Sequence, residues 1–107
     1  MVDRSIEIAV RNYLQNLGTQ GLNVCFAVVF GSQTTGKADR WSDIDLLDVS
    51  PRFDATRNRK DIGLLWRVAA RTDSRLEPIP CGERQWQEDG ASPIIEIARR
   101  EGQVIAA

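Results

Sequence analysis

Two aspartates, Asp43 and Asp45, stand two positions apart in a segment that reads as a strand, Asp43 to Val49. Strand side chains alternate, so both carboxylates point to one face, with Cβ atoms about 6–7 Å apart. At an effective dielectric near ~20, two such charges repel by roughly 2–3 kcal/mol. That is a large share of the ~5–15 kcal/mol by which a domain is stable. A cation between the two groups would relieve the repulsion. Magnesium fits, because it is a hard cation that prefers carboxylate, water and phosphate oxygens.

Ten residues separate Asp43 from the dipeptide Gly31-Ser32, which closes an apolar run ending at Phe30. Glycine there lets backbone approach a phosphate closely, since no Cβ intervenes. Successive backbone N–H groups in such a turn form an anion-binding concavity. The Ser32 hydroxyl can donate to a phosphate oxygen. Transfer of a phosphoryl-type group depends mostly on positioning and charge neutralisation. An N–H-rich turn facing a metal-holding acid pair supplies both. A third carboxylate would let the site hold two metals, one of them activating the attacking oxygen. Glu77, between apolar neighbours in Arg75-Leu76-Glu77-Pro78-Ile79, is the candidate. Lys37, Arg40, Arg59 and Lys60 are within the range of residues that could touch phosphates.

The elements that must position these groups are legible as periodicities. Ile6, Val10, Tyr13, Leu14 and Leu17 recur at helical spacing, with Asp3 as a cap and Gly18 as an end. Asn23 to Phe30 reads as a central strand buried on both faces. A polar loop with Thr34, Thr35 and Gly36 leads to the acid-bearing strand. Ile62, Leu65, Trp66 and Ala69 predict a helix over Arg57 to Arg71. Leu76 to Pro80 is a short strand whose prolines predict an edge position or an early end. Ser92 caps a last helix with Pro93 in its first position, Arg99 and Arg100 in its last turn and Gly102 at its end. Val104-Ile105 can add a final short strand. The order α-β-β-α-β-α predicts an α+β fold, a small mixed β-sheet with helices packed on it.

The 107 residues predict one domain spanning 1–107. Net charge is −1, from 14 basic and 15 acidic residues, so no strong nucleic-acid binding is expected of this chain alone. Cys25 and Cys81 are far apart, form no C-x-x-C pair and sit among apolar residues, which predicts two reduced core thiols. With no histidine in the chain, a structural zinc site is disfavoured. The N-terminus carries no signal-peptide pattern and no apolar run is long enough to span a bilayer, so the expectation is a cytoplasmic protein without membrane contact. Trp41, Trp66 and Trp86 are expected in core or partner-surface packing, Tyr13 in the core, and Ser42 in the turn before Asp43.

The stretch from Gly31-Ser32 to Asp43-Ile44-Asp45 resembles the signature of the DNA polymerase-β nucleotidyltransferase superfamily. It is most similar to the minimal nucleotidyltransferases, or MNT proteins. Leu76-Glu77-Pro78-Ile79 and Ser92 to Gly102 resemble the C-terminal half of that family, so the likeness covers nearly the whole chain. The resemblance implies a polymerase-β-like nucleotidyltransferase fold. It implies that a nucleoside triphosphate, usually ATP, binds at Gly31 and Ser32, and that Asp43, Asp45 and Glu77 hold one or two magnesium ions as catalytic and metal-binding residues. It also implies transfer of AMP to an acceptor, in many relatives a tyrosine of a HEPN-domain toxin that the MNT protein neutralises as its antitoxin. The family's aminoglycoside-modifying relatives use an additional helical domain, so a small-molecule antibiotic is a less expected acceptor here. Asp48 departs from the pattern, which usually has an apolar residue there. By parity Asp48 falls on the face of Ile44 and Leu46, away from the acid pair, and is expected to reach solvent at the strand end.

Two readings of a different class remain beside transfer to a protein. One is a non-catalytic antitoxin module that covers its toxin sterically through a helix or edge strand, in a homo- or hetero-oligomer. A self-repelling acid pair has no use in such a cover. The other is a transferase acting on RNA ends, which the neutral charge disfavours.

Overall fold

The computed structural model describes residues 2–35, 42–55 and 58–107, with only the backbone of Ser32 and Thr35. Helix α1 (Arg4–Thr19) is capped by the Asp3 carboxylate, which accepts from the Ser5 N–H. It runs one residue past Gly18. The glycine that ends it is Gly21, at φ 86°. Gly21 donates to the Gly18 carbonyl and Leu22 to the Leu17 carbonyl. This is the Schellman closure, which requires a left-handed residue after the cap. It occupies the chain up to Leu22 and delays strand β1, which spans Phe26–Phe30 rather than starting at Asn23.

The other elements follow in order: α2 (Ser32–Thr35), β2 (Ile44–Val49), α3 (Arg52–Ala55), α4 (Arg59–Thr72), β3 (Leu76–Cys81), α5 (Glu83–Glu88), α6 (Pro93–Glu101) and β4 (Gln103–Ala106). The expected helices and strands are all present. Helix α4 is capped by Asn58, whose side chain accepts from the Asp61 N–H; Arg57, the expected start, lies outside the described residues. Helices α2, α3 and α5 are additions to the expected order. The first two are single turns of four residues, and α5 buries none of its side chains. None of the three has an apolar stripe to announce it.

The sheet order is β3-β2-β1-β4. Strand β1 pairs antiparallel with β2 and β4, while β2 and β3 run parallel. A parallel pair needs a crossover, and α3 with α4 provides it. Proline-bearing β3 is an edge strand, as its sequence predicts. One face of the sheet packs on α1 and α4 through Ala27, Val29, Ile44, Leu46, Leu76 and Ile105. The other packs on α6 through Val28, Phe30, Leu47, Val49 and Cys81. Arg52 joins α3 to α4 by a two-pronged bond to the buried Asp61, both contacts at 2.8 Å. No helix among the described residues is long and apolar enough to cross a membrane.

Two expectations are corrected here. Cys25 lies just before β1 and is exposed, with its thiol donating to Glu83 at 3.6 Å; only Cys81 is a buried thiol. Asp48 keeps its expected face but does not reach solvent. It is fully buried, and the Tyr13 hydroxyl donates to its Oδ2 at 2.5 Å. Its other oxygen, Oδ1, has no hydrogen-bond partner among the described residues. Burial pushes the Asp48 carboxyl up to about 7, and the Tyr13 bond opposes that rise. The Tyr13 hydroxyl is itself raised far above the usual tyrosine value, by burial first and then by the Asp48 charge. Arg99 is also more than a helix-end charge: it donates to the carbonyls of Gln85, Trp86 and Asp89 and so ties α6 to the end of α5.

An acid raised in the folded state contributes stability that is complete below its unfolded value near ~4 and is lost as pH rises towards the folded value. Urea titrations should therefore show stability falling between about pH 4 and pH 7, and Asp48→Asn should reduce that slope. Tyr13→Phe leaves a buried carboxylate without its donor and should cost about 1–3 kcal/mol. An unchanged slope in Asp48→Asn would contradict the assignment of that charge.

Candidate active site

Strands β1, β2 and β3 bring the acids together at one end of the sheet. Phe30, the last residue of β1, pairs with Asp45, and Asp45 pairs with Glu77 across the parallel β2–β3 ladder. Alternation places Asp43, Asp45, Leu47 and Val49 of the β2 segment on the α6 face, together with Glu77, Ile79 and Cys81 of β3. The apolar members of that row are covered by α6. The acids stand beyond the covered part: Asp43 is exposed, Asp45 and Glu77 half-buried.

The three carboxyl groups sense one another. Glu77 is raised above the ordinary glutamate value by burial, then by the charges of Asp43 and Asp45, and it hydrogen-bonds with both. Asp45 is raised by burial and by the Asp43 charge, while the hydrogen bond from Glu77 pulls it down.

Gly31 forms the other wall. Its φ is +79°, a conformation that favours glycine. A Cβ there would lie 2.6 Å from Asp45 Oδ2, so the missing side chain is also what admits the Asp45 carboxylate. After Gly31 the chain turns directly into α2. Thr34 returns to the Gly31 carbonyl twice, through its N–H at 3.1 Å and its hydroxyl at 2.9 Å. The Ser32 hydroxyl lies outside what the structure describes, as do Gly36, Lys37, Arg40 and Trp41. Arg59 and Lys60 open α4, beside the Arg52–Asp61 pair that follows the far end of β2, so the topology does not bring them to the acids. Gln33 is a residue the sequence reading passed over. Its amide donates to the carbonyls of Ser42 and Asp43. A glutamine in a polar loop carries no signal that sets it apart.

Among the described residues, no three His, Cys, Asp or Glu side chains form a ready metal cage. Magnesium does not require one. It retains several waters and is held by one or two carboxylates together with substrate phosphates. Hard oxygen donors gathered this closely, two of them raised by burial and then by neighbouring acid charge, fit such an ion.

The mixed sheet with helices on both faces is the polymerase-β-like nucleotidyltransferase fold. The chain belongs to the nucleotidyltransferase domain family, whose profile matches residues 10–100. Among solved structures, it is similar to the crystal structure of a Sulfolobus solfataricus protein provisionally designated a nucleotidyltransferase. That likeness has a TM-score of 0.60 at 17% identity and covers 97% of this chain and 87% of the other, and it bears on the fold alone. No curated protein matches the chain significantly in sequence.

Because Asp45 and Glu77 are raised, metal-free protein should lose stability as pH rises through and above the ordinary carboxylate range. Asp45→Asn should therefore melt higher than wild type at pH 7.5 without magnesium, and the advantage should disappear near pH 4. Thermal melts at the two pH values decide this; equal midpoints at pH 7.5 would show that the carboxylates do not oppose one another.

Proposed function

We propose that the chain is a magnesium-dependent nucleotidyltransferase that moves AMP from ATP onto an acceptor hydroxyl. The observation that carries this reading is the meeting of Glu77, from a separate strand, with the Asp43/Asp45 pair beside the Gly31 turn. The unit of function is a single domain over 1–107. The acceptor we propose is a tyrosine of a partner HEPN-domain toxin, which makes the chain a cytoplasmic antitoxin. That part rests on the resemblance to MNT proteins.

In this reading the backbone N–H groups after Gly31, with the Ser32 hydroxyl, hold the triphosphate. Asp43, Asp45 and Glu77 would hold magnesium, which when bound neutralises phosphate charge and lowers the pKa of the attacking hydroxyl. The acceptor oxygen forms a bond to the α-phosphorus, the bond from that phosphorus to the bridging oxygen breaks, and pyrophosphate leaves. The acceptor proton passes to a carboxylate oxygen of the cluster. Asp45 is packed against Gly31, so the phosphate-binding turn and the metal-holding acids stay in fixed register.

The test is to incubate the chain with a co-expressed HEPN-domain partner and ATP labelled at its α-phosphate. Label should move to the partner, and Asp43→Asn or Asp45→Asn should lower the rate at least ~100-fold, the loss of several kcal/mol of charge stabilisation. Gly31→Ala, which displaces Asp45, should behave alike. Undiminished labelling by both aspartate variants would sink the reading.

A further inference from the structure

Gln33 lies in α2, two residues beyond Gly31, and its side chain reaches the start of β2. Its Nε2 donates to the carbonyl oxygens of Ser42 and Asp43, each at 3.2 Å. Both acceptors are carbonyls, so the chemistry requires the amide nitrogen to face them. An amide NH2 has two hydrogens, and these two bonds use both. The side chain thus fastens residue 33 to residue 43.

What it fastens is a weakly held acid. Asp43 lies one residue before β2 and outside the paired register, which begins at Ile44 towards β3 and ends at Asp45 towards β1. The next residue is anchored, with the Ile44 N–H donating to the Arg75 carbonyl at 2.8 Å. The Asp43 side chain is exposed, faces the Asp45 charge and hydrogen-bonds with Glu77. Ahead of the ladder, the Asp43 backbone has no strand partner among the described residues to fix it. Gln33 supplies the tether from the same turn that carries Gly31, a turn itself closed by Thr34.

We propose that Gln33 is a positioning residue that holds Asp43 for the metal while joining it to the phosphate-binding turn. This rests on the nucleotidyl-transfer reading above. Gln33 acts through the Asp43 backbone and touches neither nucleotide nor metal. Without it, Asp43 spends less time facing Asp45 and Glu77, and more magnesium is needed to recruit it.

The experiment is calorimetric titration of ATP at a series of magnesium concentrations, with wild type, Gln33→Ala and Gln33→Glu, each with its thermal midpoint. Gln33→Glu preserves shape and removes both donors, so it decides the matter if Gln33→Ala folds poorly. In both variants the magnesium concentration for half-maximal ATP binding should rise about tenfold, the loss of two hydrogen bonds. Binding at saturating magnesium should approach that of wild type, and midpoints should stay close to it. A purely structural role would lower the midpoint and leave the magnesium requirement of the folded fraction unmoved; that result overturns the proposal. In wild type, the Gln33 side-chain amide protons should exchange slowly by NMR, and exchange as fast as an exposed glutamine also overturns it. Wild type that binds no ATP at any magnesium concentration overturns the nucleotidyl-transfer reading itself and the positioning role with it. Wild-type binding with unshifted variants overturns the positioning role alone.

Discussion

Asp43, Asp45 and Glu77 are held on one face of a sheet, at one end, and among the described residues the charges that raise Asp45 and Glu77 are those of neighbouring acids. Their repulsion is the constraint from which the rest of the structure can be understood. Opposed charges of one sign stay together only if the backbones that carry them cannot part. Here the parallel β2–β3 ladder runs from Ile44↔Leu76 to Val49↔Cys81 and fixes Asp45 opposite Glu77. The ladder depends in turn on α4, whose Leu65, Val68 and Ala69 are buried under the same sheet. A slip of one residue in β3 would turn Glu77 into the apolar layer and Leu76 towards the acids. The hydrophobic pattern therefore protects the register, and the register keeps the acids in place.

Strand β2 and the residue before it carry three aspartates, and the fold treats them in two ways. Asp43 and Asp45 stand at the start of the strand on an open face, where an ion and water can reach them. Asp48 points the other way, into the layer under α1, where no ion is needed because Tyr13 satisfies one oxygen. Both arrangements raise carboxyl pKa values and both cost stability at neutral pH. Cost of this kind is common at sites where function and stability pull apart. The Asp48–Tyr13 pair lies in the apolar layer under α1, on the opposite face from the acid cluster.

The parts legible in the sequence were those governed by long periodicities or by rigid local chemistry. The stripe Ile6-Val10-Tyr13-Leu17, the Ser92-Pro93 start of α6 and the continuous apolar run of β1 all became the elements they announced. The grouping of two acids in the candidate site was legible for a related reason: alternation alone puts Asp43 and Asp45 on one face, whatever the sheet around them. The illegible parts depended on partners distant in the chain. Parity placed Asp48 on the correct face, but nothing near it indicated that Tyr13 would bury it. Cys25 looked like core because its neighbours are apolar, yet it precedes the paired strand. Arg59 and Lys60 could not be set apart from residues near the acids before the crossover direction of α4 was known. Strand order, which brings Glu77 to Asp45, is a property of the whole chain and of no local segment.

The account stands or falls on whether the three carboxylates gather a divalent ion beside a nucleotide. Anomalous diffraction from crystals grown with manganese and a non-hydrolysable ATP analogue tests this directly. The expected result is a manganese peak beside Asp43, Asp45 and Glu77, with the triphosphate at the Gly31 turn. A peak elsewhere on the chain, or nucleotide bound with the acids left bare, would contradict it.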